Sequence, residues 1–186
     1  MPNSTTSTII IVVLIGTLVC IVPLMKLTSR LDNVTQEKVE SIVEDSLIEV
    51  TNTGKLTRAW YQNLENRLAA TGNTYNIEIE IHHIDENVGM KTAQANYTKI
   101  GENVYYVEYT TQVLNQIGIK ADDSNDLSSN DTIMLKEGDI IYLSAKNESP
   151  TSAQTQQSSF LNTTNVDEHV ISTSSSKMVT VNGTSK

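Results

Sequence analysis

Residues 9–25 read IIIVVLIGTLVCIVPLM, and residues 27–50 continue as LTSRLDNVTQEKVESIVEDSLIEV without a turn signal between them. The 17 uncharged residues of the first segment cover about 26 Å as an α-helix, against about 30 Å of bilayer hydrocarbon. This pattern predicts one continuous helix that crosses a membrane and then becomes a half-polar stem. The predicted organisation is a polar tail, a transmembrane segment, an amphipathic stem and a head domain, at residues 1–8, 9–26, 27–53 and 54–186.

The second segment has the residue spacing of an amphipathic helix. Its apolar residues recur at four-residue steps, with a threonine at the one gap. Packing of the membrane segment and of the stem is assigned to apolar positions of both segments: Ile9, Val13, Gly16, Cys20, Leu24, Leu27, Leu31, Val39, Val43 and Leu47. The opposite face carries Glu37, Glu40 and Glu44 and is interpreted as solvated, because like charges at i, i+4 are only tolerated.

The apolar segment is compatible with three kinds of N-terminus. A cleaved secretory signal is disfavoured because the leader has no basic residue and no A-x-A site follows the run. A lipoprotein is disfavoured because bulky Val19 precedes Cys20, where a small residue is needed. We therefore predict a retained, single-pass membrane anchor.

The orientation of this anchor is indicated by two opposing signals. Lys26 and Arg30 follow the apolar run, and the positive-inside bias would place the head in the cytoplasm. The head, however, is rich in serine, threonine and asparagine, a composition that suits an exterior surface. We predict a cell-membrane protein with an extracytoplasmic head, and the opposite orientation stays open.

Charge and cysteine content exclude several classes of protein. The net charge is −9 and no cluster of lysine and arginine occurs, whereas nucleic-acid binding depends on phosphate neutralisation. The single cysteine, Cys20, lies in the apolar run and has no partner within the chain for a disulfide. We predict no nucleic-acid partner.

Candidate chemistry is sparse in the head. His82 and His83 are adjacent on a predicted strand, so their side chains point to opposite faces and cannot chelate one metal together. The sequence has no G-x-S-x-G motif, zinc-ligand spacing or phosphate-binding loop. We predict a non-enzyme without catalytic residues, metal, cofactor or small-molecule substrate, in which both histidines are structural or solvated.

The head is predicted to be α+β, with the long N-terminal helix packed on a small, mainly antiparallel sheet with short helices. Trp60 is expected to anchor the second helix to the stem or sheet. Alternation over residues 75–82 is the clearest strand signal. Gly54 is predicted to end the stem helix, because glycine readily adopts the left-handed conformation found at helix termini. The remaining predictions are a helix at 55–70, a helix rather than a strand at 103–117, a hairpin at 133–146, and a C-terminal hairpin or edge strands around a serine turn within 166–182.

Several segments resemble the small TadE-like pseudopilins of Gram-positive bacteria, which belong with type IV pilin-like proteins. The match begins in residues 29–81, which contain the TNTGKLT link, the short helix ending in LAATGNTY and the following strand. KIGENVYYVEYTTQ and KEGDIIYLSAKN, at 99–112 and 136–147, extend it. The leader departs from type IV prepilins, because it is uncharged and Gly16 is followed by Thr17 to Ile21 without a glutamate.

This resemblance implies a minor, uncleaved pilin-like subunit of a Tad-type pilus, secretion or conjugation apparatus. The implied partners are the membrane, other pilin-like subunits and a Tad-type ATPase and platform protein. Lys38, Lys55 and Arg58 are candidates for pairing with acidic stem faces of neighbouring subunits. The alternative is a bitopic adhesin or ligand-binding module outside any filament, which the polar surface and the tyrosine cluster favour.

Overall fold

A computed structural model describes residues 4–84, 105–119, 131–151, 154–155, 158–159 and 170–184. The predicted α+β class is confirmed, with an N-terminal helix followed by shorter helices and a small antiparallel sheet. The elements in chain order are α1 (Ser4–Thr53), β1 (Lys55–Thr57), α2 (Arg58–Ala69), β2 (Tyr75–Ile84), β3 (Tyr105–Tyr109), α3 (Thr110–Gln116), β4 (Thr132–Met134), β5 (Ile140–Asn147) and β6 (Ser172–Met178).

Helix α1 is 50 residues long and passes without interruption through Pro23. The predicted continuity between the apolar and amphipathic segments is therefore confirmed, and the predicted polar tail is already helical from Ser4. Gly54 ends the helix as predicted, with a φ of +63° and a 2.8 Å hydrogen bond from its N–H to the carbonyl of Val50. A Cβ at Gly54 would collide with the Val181 carbonyl and lie 2.5 Å from the Gly183 nitrogen, so glycine is required there.

Four antiparallel strands form the main sheet, in the order β3-β2-β5-β6. The predicted alternation of β2 is confirmed, because Ile77, Ile79 and Ile81 are buried on one face. Their neighbours on β5 extend this apolar face, and α1 packs against β5 and β6. The largest fully buried side chains of the resulting core are Leu47, Leu56, Leu64, Leu68, Ile79, Ile81, Ile117, Leu135, Ile141, Leu143, Ile171 and Val39.

Strands β1 and β4 form a separate two-stranded sheet, and this corrects two predictions. The helix predicted at 55–70 begins only at Arg58, because the preceding three residues pair with β4. The hairpin predicted at 133–146 is also wrong. Its first strand, β4, pairs with β1, whereas its second strand, β5, lies between β2 and β6 in the other sheet.

Two further predictions are corrected in the head. The helix favoured at 103–117 is divided into strand β3 and the short helix α3, which buries Val113. The predicted serine turn is instead the middle of β6, which runs through Ser174, Ser175 and Ser176. The prediction of an edge strand in this region is confirmed, since β6 is the last strand of its sheet.

Several sequence predictions lie wholly or partly outside the described residues. The sequence predicts a polar loop at 85–101, a loop at 121–131 that resembles a calcium loop only loosely, and a short helix that begins at Pro150, and its third histidine is His169.

Candidate functional site

The apolar half of α1 is the most prominent surface of the molecule. Thr5–Pro23 forms a stretch of 19 residues with a mean hydropathy of 2.5, and none of it is buried. At about 1.5 Å per residue, this stretch is about 28 Å long and matches bilayer hydrocarbon. Within the described residues it is the one helical segment that is long and apolar enough to span a membrane.

The predicted packing residues of α1 are divided between two environments. Ile9, Val13, Leu27 and Leu31 are 51–63% exposed. Gly16 has open space around its Cα, because a Cβ there would meet nothing within 4 Å. Cys20 is exposed as well. The side chain of Leu24 lies outside the described residues.

The other three predicted packing residues belong to the core of their own head. Val39, Val43 and Leu47 are each at most 1% exposed. This face of the stem is therefore occupied within one chain, and it is not available to a neighbouring stem. Substitution of Val43 or Leu47 would test the stability of the head rather than subunit packing.

Contacts from α2 and β6 fix the lower half of α1, residues 32–53, to the head. The indole N–H of Trp60 donates to the carbonyl of Ser46 at 3.0 Å, and Trp60 is only 5% exposed. Its predicted role as an anchor to the stem is confirmed. Asp45 pairs with Arg67 of α2 at 3.0 Å, and Glu44 pairs with Lys177 of β6 at 3.3 Å.

Helix α1 also covers the free edge of β6. The side-chain amide of Gln36 donates to the carbonyl of Ser172 at 2.8 Å and accepts its N–H at 3.2 Å. At the far end, the N–H of Thr180 donates to the carbonyl of Thr51 at 3.1 Å. The helix thus follows the strand from Gln36 to Thr51. Covering an edge in this way protects it from pairing with other chains.

The three predicted cations have different surroundings. Arg58 is engaged within its own chain, and its predicted role in pairing between subunits stays a prediction. Its guanidinium donates to the carbonyls of Ile117 and Gly118 at 2.8 Å each, at the C-terminal end of α3, and pairs with Asp131 at 3.3 Å. Lys38 is exposed, Lys55 is half-buried in β1, and neither forms an ion pair with a described residue.

A buried polar cluster joins β2, β3 and the turn before β5. His83 Nδ1 lies 3.0 Å from Asp139 Oδ2, and that carboxylate also accepts the N–H groups of Lys136 at 2.9 Å and Ile84 at 3.3 Å. Because a carboxylate only accepts, this geometry places a proton on His83 Nδ1. Tyr106 stacks on the His83 ring at 4.6 Å. Burial, with Glu108 and Asp139 nearby, raises the pKa of Tyr106.

This cluster joins the end of β2 to β3 and to the turn before β5. His83 Nε2 is buried without a hydrogen-bond partner and lies 3.7 Å from Glu108 Oε2. Among the described residues, no hydrogen bond joins a serine, threonine or cysteine side chain to the His83–Asp139 pair. His82 points to the opposite face, as predicted, and its ring lies 4.5 Å from that of Tyr142. The described residues contain no group of three potential metal ligands.

Comparison with protein-family models, with characterised proteins and with solved structures found no match for this chain.

The interactions that the sequence did not predict are contacts between distant residues. Gln36 and Ser172 are 136 positions apart, and His83 and Asp139 are 56 apart. Asp139 had one local signal, because aspartate after glycine in a turn often accepts backbone N–H groups. Gln36 had none.

Proposed function

We propose that this protein is a membrane-anchored, pilin-like structural subunit, a minor pseudopilin of a Tad or type IV pilus-like assembly or secretion apparatus. One observation carries the proposal: a single uninterrupted helix holds an unburied apolar stretch of 19 residues and then becomes part of the head core. An ordinary tether needs no such rigid continuity. A subunit that must hold its head at a fixed angle to packed stems does.

The region between the apolar stretch and the head supports the same proposal. Asp32, the first buried residue of α1 among the side chains that the structure describes, lies nine residues after Pro23, which is about 14 Å of helix. Leu27, Leu31 and Val34 are 51–60% exposed in and just beyond this interval. At about 100° per residue they lie on one side of α1, together with Ile9, Val13, Gly16 and Cys20. This apolar side is suited to packing against the stem of another subunit.

The proposed setting follows from the same surfaces. The apolar half of α1 is embedded in the cell membrane, and the head lies outside the cytoplasm. Other pilin-like subunits contact the apolar side of α1, and a Tad-type ATPase and platform protein drive assembly. The head supplies structure rather than catalysis, and no cofactor is required.

Site-directed crosslinking tests the proposed packing. Leu31→Cys is introduced in a Cys20→Ser background, and membranes from the host are oxidised. We expect a disulfide-linked dimer of the chain, or a mixed disulfide with another pilin-like subunit that has a cysteine engineered at the facing position of its stem. Asn33→Cys is the matched control, because Asn33 is exposed at a similar height on another side of α1.

Equal crosslinking of both variants, or none in either, would contradict the proposed stem packing. Co-purification of the tagged chain with a Tad-type ATPase or platform protein tests the assignment to such a machine. A monodisperse monomer that is unaffected by deletion of that machinery would refute it.

The second candidate is an anchored adhesin or ligand-binding module, and one observation favours it. Tyr106 and Tyr109 of β3 are 53% and 56% exposed, which is high for aromatic side chains. If this function is correct, Tyr109→Ala abolishes binding of the protein to its target surface, whereas Leu31→Asp in the stem leaves binding unchanged. A cell-adhesion assay of both variants distinguishes the two functions.

A further inference from the structure

Strand β2 has an edge that is only half covered. On one side β2 pairs with β5 from Tyr75 to His82. On the other side it pairs with β3 only from Glu80 to Ile84, because the chain turns into α3 after Tyr109. The first half of β2 therefore has no strand beside it within the described residues.

The hydrogen-bond pattern identifies which backbone groups face this open edge. The N–H of Glu148 donates to the carbonyl of Thr74 at 2.8 Å, so the even-numbered residues of β2 bond to β5. The odd-numbered residues point the other way. Ile79 shows this directly, since its N–H donates to Thr110 Oγ1 at 2.8 Å and its carbonyl accepts from that hydroxyl at 3.1 Å.

Ile77 is the next residue with this orientation, and it lies beyond the reach of β3. Its N–H and carbonyl point in the same direction as those of Ile79, and no described residue forms a hydrogen bond with them. The other end of the sheet differs, because Gln36 satisfies the outward groups of Ser172 there. An unpaired donor and acceptor on a regular strand are a template for a further strand.

A groove follows this open edge. It has a volume of about 430 Å³ and is lined by Ile77, Glu78, Glu80, Tyr109 and Thr111, among others. On the side facing the core, a smaller recess of about 120 Å³ lies between β2 and α2, with Glu65, Leu68, Ala69 and Ile77 in its wall. An extended peptide along the edge would direct alternate side chains to these two sides.

We propose that the β2 edge binds an extended segment of a partner protein by antiparallel strand addition. One partner residue exchanges both backbone hydrogen bonds with Ile77 and places a small apolar side chain in the recess. The residues before and after it are lysine or arginine, because Glu78 and Glu80 flank the groove and the chain carries a net charge of −9. This inference does not depend on the proposed function.

A synthetic peptide tests the proposal on the full chain in detergent micelles. The probe is acetyl-Lys-Thr-Lys-Val-Lys-Thr-Lys-amide, titrated by calorimetry, with amide hydrogen exchange measured by NMR. We expect binding to slow exchange of the Ile77 amide by about tenfold or more. N-methylation of the central valine should weaken binding by about tenfold, because it blocks the bond to Ile77. N-methylation of an adjacent lysine faces away and should change binding by less than about threefold.

Charge reversal tests the specificity. Glu78→Lys should weaken peptide binding by about fivefold, whereas Glu137→Lys, on an exposed turn outside the groove, should have no effect at the same net charge. Three results would overturn the proposal: no binding at about millimolar peptide, equal loss with both N-methylated peptides, or an Ile77 amide that is already protected without peptide. Protection that rises with protein concentration would assign the edge to a second copy of this chain.

Discussion

The two halves of α1 are built from similar apolar residues but serve different surroundings. In Thr5–Pro23 no residue is buried, and the apolar character extends around the whole helix. From Asp32 onward, buried residues recur on one face and acidic residues occupy the other. The spacing of apolar residues, rather than their number alone, therefore distinguishes a helix surface suited to lipid from one suited to a protein core.

Polar contacts separate the halves as clearly as burial does. The lower half is bonded to the head by Gln36, Trp60 and Thr51 through contacts with residues far away in the sequence. In the upper half, the apolar stretch Thr5–Pro23, the hydroxyl of Thr17 donates a hydrogen bond to the carbonyl of Val13 at 2.6 Å, within the same helix. A polar group with a local partner can be placed in hydrocarbon at low cost.

The largest contrast is expected for the same substitution in each half. Leu47→Ala should lower the free energy of unfolding of the head by about 3–4 kcal/mol, because Leu47 is fully buried and its removal leaves a cavity. Leu14→Ala, at a position that is 62% exposed, should leave the head unchanged. Urea unfolding followed by fluorescence of the sole tryptophan, Trp60, measures both. An equal loss of unfolding free energy in Leu47→Ala and Leu14→Ala would show that the two halves of α1 do not contribute independently to the stability of the head.

Replacing the glycine that ends α1 and the glycine in its upper half gives the second contrast. Gly54→Ala should destabilise the head by about 2–3 kcal/mol, from the positive φ and from collision with the backbone at Val181 and Gly183. Gly16→Ala meets open space and should have no effect on unfolding of the head. Thermal denaturation of the two variants in micelles compares them. If Gly54→Ala unfolds at the same temperature as the unsubstituted protein, the close approach of Gly54 to Val181 and Gly183 does not contribute to the stability of the head.

A smaller effect is expected where α1 covers the edge of β6. Gln36→Ala should cost about 1–2 kcal/mol, because two backbone groups of Ser172 lose their partner. Thr17→Val removes a hydrogen bond made entirely within the upper half and should not change the stability of the head. Hydrogen exchange at the Ser172 amide reports the local opening. Unchanged exchange in Gln36→Ala would contradict the covering role of this side chain.

Alkaline pH should produce the smallest effect, and only in the head. Burial, and secondarily the charge of Glu65, raise the pKa of Tyr61 above its ordinary value of 10.0. The unfolded chain therefore loses this proton first, and stability should fall as the pH rises from 10.0 through the folded pKa. Tyr61→Phe should reduce this fall, as seen by unfolding at pH 9 and about 11. An identical pH profile in Tyr61→Phe would refute the assignment.

Local patterns were sufficient for much of the fold. The continuous helix, the glycine at its end and the alternation of β2 depend on residues close together in sequence, and each was predicted. The failures have a common cause. A serine run is typical of a turn, but Ser174–Ser176 form a strand because they pair with residues 142–144 of β5, about 30 positions earlier in the chain. Likewise, β1 is a strand only because β4, about 75 residues later, pairs with it.

The candidate site was predictable to a similar extent. The exposed apolar half of α1 could be predicted from composition alone. The commitment of Arg58 to the end of α3 and of Val39, Val43 and Leu47 to their own core could not, because an amphipathic stripe does not specify whether its partner is internal or external. The open edge at Ile77 depends on where β3 turns into α3, which sequence periodicity left ambiguous.

The closing contacts at Gly54 and Gly183 have a consequence for biosynthesis. The segment from Ile171 to Gly183, which contains β6, is translated after every other described element of the head, yet it completes the core through Ile171 and Val179 and bonds to Leu135 and the end of α1. The part of the nascent stem that β6 covers in the folded head therefore remains uncovered until this segment emerges from the ribosome. During that interval a chaperone or a sister chain can occupy the place that β6 later takes.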